Sequence, residues 1–257
     1  MKVTLLSDYP YFYETHLHTN QASACALNSG AEMAKAYKEA GYTGTFVTDH
    51  NWGGNTCINR ELPWSDWMNA YASGYRDAYE FGKENDFQVF FGMETGYHGT
   101  EFLIVGLTPE WFIDNPGIRR CNIEEQYKMV HENGGMVVQA HPFRIEPYIM
   151  KVQNFPEWVD AIEGSNATHS SPLSVSHNEP KWDDEARELA RKHGKPMTAG
   201  SDMHSVNLFG GGVAFRRKLK DDKDYINEIL NGGDYVLSDG AYWRKNTGEI
   251  ICPLEMT

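Results

Sequence analysis

The sequence predicts an α/β fold whose strands form one mostly parallel sheet, either open or closed into a barrel. Along the 257 residues, segments with helix signals alternate with short apolar runs, which is typical of βαβ units. No Pro/Gly/Ser-rich linker, charge block or repeat divides the chain, so a single domain over residues 1–257 is predicted. Polar residues follow several of the apolar runs directly, at the strand ends where barrel enzymes build their sites.

Five segments carry helix signals. In the first, Ser29 is the predicted N-cap, and Glu32, three residues later, completes a capping box. Asn122 and Glu125 repeat this pattern at the start of the third helix. Helices are predicted over residues 28–41, 64–85, 121–135, 183–194 and 223–233.

Short apolar runs between these helices are predicted to be strands, because such runs bounded by turn signals favour buried strands. They comprise residues 12–15, 43–48, 87–93, 102–107, 135–140, 158–164 and 195–200. Residues 233–257 are predicted to add strand and turn segments that pack on the main fold.

The composition argues against several kinds of partner. The formal net charge of −13 argues against extended nucleic-acid binding, which usually requires a basic surface. The sequence has no run of 18 apolar residues and no signal-peptide pattern, so a soluble protein without a membrane partner is expected. Its four cysteines form no CxxC motif, which fits reduced thiols and a cytoplasmic location. The sequence leaves the oligomeric state open.

Five predicted strand ends carry possible metal ligands. An extended His16-x-His18 segment places both imidazoles on one face, and Asp202-x-His204 repeats the spacing with a carboxylate. Glu94 follows an apolar run, where a buried carboxylate needs a partner and could bridge two cations. Because the carboxyl ends of parallel strands meet at one rim, a polynuclear metal centre is predicted. Its members are His16, His18, Asp49, His50, Glu94, His141, Asp202 and His204.

Each of these residues also has a structural interpretation. Alone, any of them could be a satisfied core or rim residue, and Asp49 could orient a ligand from behind His50. Among the other histidines, His169 follows a predicted strand and could line the site, whereas His98 lies in a predicted loop. The metal centre is favoured because, without it, the polar residues at five separate strand ends would all have to serve structural roles by coincidence.

Three residues are candidates for substrate contact. Arg144, three residues after His141, could hold two phosphate oxygens, although a salt bridge is an equal alternative. The long loop after His50 carries Trp52 and Arg60, and loops on a barrel rim often select the substrate. Trp52 could stack on a base or sugar, or it could pack on the barrel.

The ordered set "THLHT", "TDH", "GME", "AHP" and "GSDMH", spread over residues 15–204, resembles the polymerase and histidinol phosphatase (PHP) family of metal-dependent phosphoesterases. This resemblance implies a distorted, TIM-like (β/α)7 barrel that holds two or three divalent ions of zinc, manganese or iron. It also implies the ligand sets: His16, His18 and Asp202 for one ion, Glu94 as a bridge to a second held by His141, and His50 with His204 for a third.

The chain departs from the family pattern at two places. Where many members have an acidic residue or a histidine shortly after the second histidine, this chain reads "SAC", ending at Cys25. Where many members have a histidine before "IVGL", it has Leu103. Cys25 could supply a thiolate to the third ion or be a small buried residue. For the second ion, His98 or Glu101 could compensate, a water could fill the position, or the ion could bind weakly.

The predicted function is hydrolysis of a phosphate ester, either a phosphomonoester or a small nucleotide-like phosphodiester, by a hydroxide held between two cations. The expected partner is therefore a small phosphorylated substrate. Glu94, Asp202, His204 and Arg144 are expected to carry catalysis, with His204 or Asp202 as the acid for the leaving group. Two alternatives are a metal-dependent amidohydrolase, which usually bridges its metals with a modified lysine, and a non-catalytic metal-binding module.

Overall fold

The computed structural model describes residues 2–147, 149 and 151–257. Within them, eleven strands form a single sheet. The strands are β1 (Tyr11–Glu14), β2 (Gly44–Val47), β3 (Gln88–Tyr97), β4 (Thr100–Val105), β5 (Met136–Ala140), β6 (Ala161–Asn166), β7 (Met197–Gly200), β8 (Gly211–Phe215), β9 (Tyr235–Asp239), β10 (Tyr242–Lys245) and β11 (Ile250–Pro253). The helices are α1 (Gly30–Glu39), α2 (Trp64–Tyr71), α3 (Ser73–Glu84), α4 (Pro109–Asp114), α5 (Ile123–Glu132), α6 (Ala167–Ser170), α7 (Pro180–His193) and α8 (Asp222–Leu230). Short 3-10 helices cover Pro116–Arg120 and Pro156–Trp158.

The sheet mixes parallel and antiparallel pairs in the order β11-β10-β9-β8-β1-β2-β3-β4-β5-β6-β7. Parallel pairs join β1 to β2, β2 to β3, β5 to β6 and β6 to β7. The other neighbours are antiparallel, so the expectation of a mostly parallel sheet is wrong. Between β3 and β4, His98 and Gly99 adopt positive φ angles of 50° and 87°, as a two-residue hairpin turn requires.

The sheet curls until its β7 edge lies against β8. The Gly211 N–H donates to Ser201 Oγ over 3.0 Å, and the Tyr235 hydroxyl donates to Met197 O over 3.0 Å. A Cβ on Gly211 would lie 2.4 Å from Gly200 O, so only glycine permits this approach. The described strands include no ladder between β7 and β8. The α/β class and a curled sheet are thus confirmed, whereas the regular (β/α)7 repeat stays a prediction.

Both predicted capping boxes are present. The Ser29 side chain accepts from the Glu32 N–H at the start of α1 while the Glu32 carboxylate accepts from the Ser29 N–H. Asn122 and Glu125 form the same pair of hydrogen bonds at the start of α5. These local signals place the first turns correctly because a cap satisfies N–H groups that the helix itself leaves unpaired.

The helix predicted over residues 64–85 is divided at Ala72 into α2 and α3. Beside the division, Ser73 Oγ donates to Ala70 O over 2.6 Å and so occupies a carbonyl of the last turn of α2. Gly74 then lies against α1, where a Cβ on Gly30 would be 2.0 Å from Gly74 O. The helices α1 and α3 therefore pack backbone to backbone.

Six strands, β2, β5, β6, β7, β8 and β9, are buried along their whole length. Strands covered on both faces read as continuous apolar runs, which is why β2, β5, β6 and β7 were recognisable in the sequence, whereas β8 was not predicted. Phe12, Phe46 and Phe102 are fully buried on or beside them. Burying a side chain of this size stabilises the fold by about 1.5–3 kcal/mol. The strand ends that carry the polar residues therefore project from a rigid frame.

The ends of the chain meet beside β10. Lys2 N donates to Thr257 O over 2.6 Å, and Thr4 N donates to Glu255 O over 2.9 Å. Trp243 of β10 is buried and donates its indole N–H to Thr4 O over 3.2 Å. None of the helices in the described part of the chain combines the length and apolar character needed to span a bilayer.

Candidate metal centre

Backbone hydrogen bonds align the strand ends that carry the histidines. After β1, His18 N donates to Met203 O over 2.9 Å and holds the H-x-H segment beside the chain that follows β7. After β2, Glu94 N donates to Asp49 O and Asn51 N donates to Glu94 O, each over 2.9 Å. These extensions of the sheet bring the four segments to one rim.

Glu94 lies in the middle of a group of histidines. Its Oε1 is 3.2 Å from His16 Nε2 and 3.2 Å from His141 Nε2. Its Oε2 is 2.7 Å from His50 Nδ1 and 3.6 Å from His18 Nε2. A single carboxylate thus faces four imidazoles, and this is the arrangement that a bridging ligand between two cations requires.

Asp202 completes the group. Its Oδ1 lies 3.0 Å from His18 Nε2 and 3.4 Å from His16 Nε2. His204 Nε2 is 3.8 Å from the same oxygen, and the His204 ring stacks on His18 with centroids 4.4 Å apart. The structure therefore brings together seven of the predicted ligands, His16, His18, His50, Glu94, His141, Asp202 and His204.

The donor atoms of this group fit a divalent cation. Within the described part of the chain, five of its atoms are buried without a hydrogen-bond partner: His16 Nε2, His18 Nε2, His50 Nδ1, Glu94 Oε2 and Asp202 Oδ1. Leaving a buried polar atom unpaired costs about 1–3 kcal/mol, so five together need an explanation. Imidazole nitrogens and carboxylate oxygens are the donors that zinc, manganese and iron share. Divalent cations held by these residues would satisfy the five atoms.

Two members of the group have strained backbones. His141 has φ of 25° and Asp202 has φ of 52°, a region that residues other than glycine rarely adopt. Such a conformation costs on the order of 1–3 kcal/mol and persists only where the surrounding structure enforces it. Here the strain turns both side chains towards Glu94 and the histidines.

The crowded charges shift the pKa values of these groups in the metal-free protein. Burial alone would raise the pKa of Glu94, but the charges of His50 and His16 hold it well below its usual range. Burial would lower the pKa of His16, yet Asp202 and other nearby carboxylates raise it well above the ordinary value. Burial and the charge of His50 hold the pKa of His18 well below its usual range. His18 is therefore neutral, the form that binds a metal.

Asp49 lies behind the histidines rather than among them. Its Oδ1 accepts from Thr19 N and Ser23 Oγ, and its Oδ2 accepts from Thr19 Oγ1, each over 2.6 Å. Both oxygens thus accept hydrogen bonds and Asp49 is not grouped with the converging donors, so this geometry does not support it as a metal ligand, and that role stays a prediction. Because the Ser23 hydroxyl donates to Asp49, its oxygen must accept from His18 Nδ1, 3.1 Å away. The Nε2 lone pair of His18 is then left facing Glu94 and Asp202.

Glu163 supports His16 in the same way, and sequence reasoning missed it. Its Oε1 lies 3.0 Å from His16 Nδ1, while its Oε2 accepts from His141 N over 2.9 Å and from Asn166 Nδ2 over 3.0 Å. With Nδ1 donating to Glu163, His16 presents Nε2 to the centre. The available signal was a glutamate inside the apolar run of β6.

Arg144 is tied to the centre through Asp202. Its NH1 donates to Asp202 Oδ2, and its Nε donates to His169 Nε2 over 3.0 Å. His169 Nδ1 in turn lies 2.8 Å from Asp183 Oδ1, so His169 is a support for Arg144 rather than an additional ligand. Among the described residues, Arg144 NH2 is buried and has no partner. It remains free to donate to an anion.

A cavity of about 580 Å³ opens beside the group, and its wall includes Cys25, His98, Glu101, Arg144 and His204. Burial would raise the pKa of the Cys25 thiol, but hydrogen bonds from His204 and His50 outweigh it and lower the pKa to about 7. His98 lies in the β3–β4 turn at the edge of this cavity. Glu101 lies deeper, with Oε1 3.8 Å from His50 Nδ1 and Oε2 3.7 Å from His141 Nε2.

Trp52 and Arg60 do not line this cavity. They border a separate one of about 310 Å³ together with Trp64 and Trp67. The Trp52 ring packs edge-on against Trp64 and Trp67, with centroids 5.1 and 5.8 Å apart. Arg60 donates to Trp52 O over 2.9 Å and so shapes its own loop. Their predicted contact with substrate is therefore not supported, and Trp52 packs on the fold instead.

Comparison with known proteins gave one family match. A family model described as PHP-associated matches residues 180–233, which include Asp202 and His204. None of the curated proteins gave a significant match.

Three of the solved structures that share this fold come from the bacteria Bacteroides vulgatus, Bifidobacterium adolescentis and Chromobacterium violaceum. A two-domain protein of Bacteroides vulgatus, described as containing a predicted PHP-like metal-dependent phosphoesterase, is 12% identical with a TM-score of 0.66 over 93% of this chain and 68% of that one. A protein of Bifidobacterium adolescentis, assigned as a metal-dependent phosphoesterase, is 14% identical with a TM-score of 0.55 over 86% and 96%. An amidohydrolase of Chromobacterium violaceum, with bound sulfate and no metal, is 13% identical with a TM-score of 0.50 over 75% and 87%. At these identities the likeness is one of fold.

Proposed function

We propose that this chain is a PHP-family protein and a metal-dependent hydrolase of phosphate esters, which its motifs, the PHP-associated match over residues 180–233 and its fold support. Its substrate would be a phosphomonoester or a small nucleotide-like phosphodiester. The observation that carries the proposal is the set of five buried, unpartnered nitrogen and oxygen atoms that face one another around Glu94 and Asp202.

Two or three ions of zinc, manganese or iron would be held by the seven converging side chains. His16, His18 and Asp202 would hold one ion, and Glu94 would bridge it to another held by His141. Divalent cations in such a site lower the pKa of water towards neutrality and offset the charge of a phosphate group. These cations also explain how a chain with a net charge of −13 could attract an anionic substrate.

Arg144 would bind the phosphate. Hydrogen bonds to Asp202 and His169 fix its guanidinium at the cavity wall, and its NH2 has no partner among the described residues. A guanidinium held in this way loses little conformational entropy when it meets a phosphate oxygen. The NH2 group of Arg144 would therefore orient the substrate, while its NH1 and Nε hold the guanidinium in place.

His204 is the better candidate for the leaving-group acid. Asp202 Oδ2 accepts a hydrogen bond from Arg144, whereas the His204 side chain is 31% exposed at the cavity. Burial would lower the pKa of His204, but the charge of Asp202 raises it above the ordinary value. A protonated imidazole beside the cavity can donate to a leaving oxygen. If three ions bind, His204 would instead be a ligand with His18 and His50.

The test is turnover by metal-free protein refilled with zinc, manganese or iron and supplied with aryl phosphates, nucleoside monophosphates and small phosphodiesters. Glu94→Gln should retain the fold but lose most of the bound metal and all turnover, since Glu94 faces four imidazoles. Glu110→Gln, an exposed residue of α4, is the matched control and should behave as wild type.

A second candidate function is hydrolysis of an amide, as the fold of the Chromobacterium violaceum amidohydrolase suggests. Cyclic and acyclic amides therefore belong in the same panel. Turnover of amides but not of phosphate esters would overturn the phosphoesterase proposal. Stoichiometric metal without turnover of any substrate would favour a non-catalytic metal-binding module.

A further inference from the structure

We infer that Glu101 is itself a metal ligand. It would give one metal position of the centre a carboxylate oxygen where the same position built with a histidine would have an imidazole nitrogen. This inference rests on the metal-dependent function proposed above. Glu101 Oε1 is 3.8 Å from His50 Nδ1, and its Oε2 is 3.7 Å from His141 Nε2. Each oxygen of one carboxylate thus faces a different histidine of the centre.

The register of the β3–β4 hairpin explains how Glu101 reaches this position. Leu103 pairs with Glu94 across the hairpin, and Glu101 pairs with Gly96. Side chains two residues apart on a strand share a face, so Glu101 lies on the face of Leu103 but one step nearer the turn. Gly96 has no side chain to compete with Glu101 for this face, and the backbone of Gly53 packs against it, since a Cβ on Gly96 would lie 3.2 Å from Gly53 O. The Glu101 carboxylate can therefore reach the histidines of the centre. Leu103 cannot bind a metal because its side chain is apolar.

The charges around Glu101 favour binding of a cation. Glu101 and Glu94 both face His50 and His141, and the Glu101 side chain is only 13% exposed. No hydrogen bond to the Glu101 carboxylate is found among the described residues, and His50 Nδ1 and Glu94 Oε2 are buried without partners. Two buried carboxylates that face the same histidines repel each other unless positive charge lies between them. A divalent ion held by His50, Glu94 and Glu101 would meet this requirement.

The donor set predicts which metal this position prefers. Carboxylate oxygen suits manganese better than imidazole nitrogen does, whereas imidazole suits zinc. A metal position that has the Glu101 carboxylate in place of a histidine should therefore shift its preference towards manganese or ferrous iron. This preference applies only to the metal position beside Glu101. The metal preference of the position around His16, His18 and Asp202 should be unchanged.

The test counts ions rather than turnover. Metal-free wild type, Glu101→Gln and Glu146→Gln are dialysed against increasing manganese, and bound metal is measured by elemental analysis and by electron paramagnetic resonance. Glu146 is the matched control because it lines the same cavity but pairs with His177 instead. Glu101→Gln should bind one ion fewer per chain or bind it at least tenfold more weakly, while Glu146→Gln matches wild type.

Glu101→His is the second variant and tests the preference itself. It should restore the ion that Glu101→Gln loses, with its selectivity shifted at least tenfold from manganese towards zinc. Full manganese binding by Glu101→Gln, or unchanged selectivity in Glu101→His, would overturn the inference. Failure of the proposed function gives a different result: wild type would turn over no phosphate ester although its ion count still depended on Glu101.

Discussion

At the scale of single residues, hydrogen bonds behind the histidines decide which ring nitrogen faces the centre. Asp49 accepts from Ser23, so Ser23 accepts from His18 Nδ1. Glu163 takes the Nδ1 hydrogen of His16. Both histidines thereby direct Nε2 towards the centre, before any cation arrives. Such supporting hydrogen bonds fix the tautomer and raise the affinity of a histidine for metal.

Ser23→Ala should therefore weaken metal binding without removing a ligand. The variant frees the His18 ring to take the wrong tautomer or to rotate, and we expect affinity to fall about 10–100-fold. Titration of metal-free protein with zinc or manganese gives the affinity. Ser174→Ala, in an exposed loop, is the control and should bind as wild type. Wild-type affinity in Ser23→Ala would contradict the role assigned to this hydroxyl.

At the scale of secondary-structure elements, close packing of α1 on α3 sets the position of the loop that carries the histidines. A Cβ on Gly30 would lie 2.0 Å from Gly74 O, and a Cβ on Gly74 would lie 2.0 Å from Thr19 Oγ1. Thr19 directly follows His18 and donates to Asp49. The two glycines thus permit α1 to pack closely on α3, and α3 to pack closely on Thr19 beside the centre.

Gly30→Ala should lower the free energy of unfolding, although alanine is the better helix former. Helix propensity favours alanine by about 1 kcal/mol, but the added methyl group would collide with backbone that cannot move alone. We expect a net loss of about 1–3 kcal/mol, measured by urea unfolding of the metal-free protein. Gly117→Ala, where a Cβ would meet nothing within 4 Å, should be neutral or slightly stabilising. Equal stability of the two variants would refute this close packing.

At the scale of the whole molecule, several carboxylates are buried in the fold and make its stability depend on pH. Burial raises the pKa of Glu14 to about 7, that of Asp49 to about 6 and that of Asp183 to about 7, although each accepts hydrogen bonds. A carboxyl group with a raised pKa binds a proton more tightly in the folded than in the unfolded state. Its contribution to stability is complete below the unfolded pKa and is lost as pH rises through the folded one.

Asp183→Asn isolates one such contribution. Between the ordinary pKa of 3.8 and about 7, wild type should lose stability relative to the variant as pH rises. The slope of the difference should approach about 1.4 kcal/mol per pH unit and flatten outside this range. Urea unfolding with chelator at several pH values measures it. A difference that stays constant from pH 4 to pH 7 would show that Asp183 titrates normally in the folded protein.

Local patterns were sufficient for much of the fold. The capping boxes at Ser29 and Asn122 and the buried runs of β2, β5 and β7 lie where the sequence indicates, since each depends on neighbours within a few residues. The antiparallel pairs of β4 and β8 were not predicted, because strand direction depends on partners far along the chain. The division of the helix at Ala72 was missed for a similar reason, since α3 packs on distant Gly30.

By itself the sequence determined which strand ends carry histidines, because a strand and the polar residue after it are adjacent in the chain; Glu94, predicted to follow its strand, instead lies within β3. Only the tertiary structure decided what these residues do. It placed Asp49 and His169 behind the centre, Trp52 at another cavity and Glu101 beside His50. The physical reason is that the role of a polar side chain follows from its partners, which here come from strands tens of residues apart and meet only when the sheet curls.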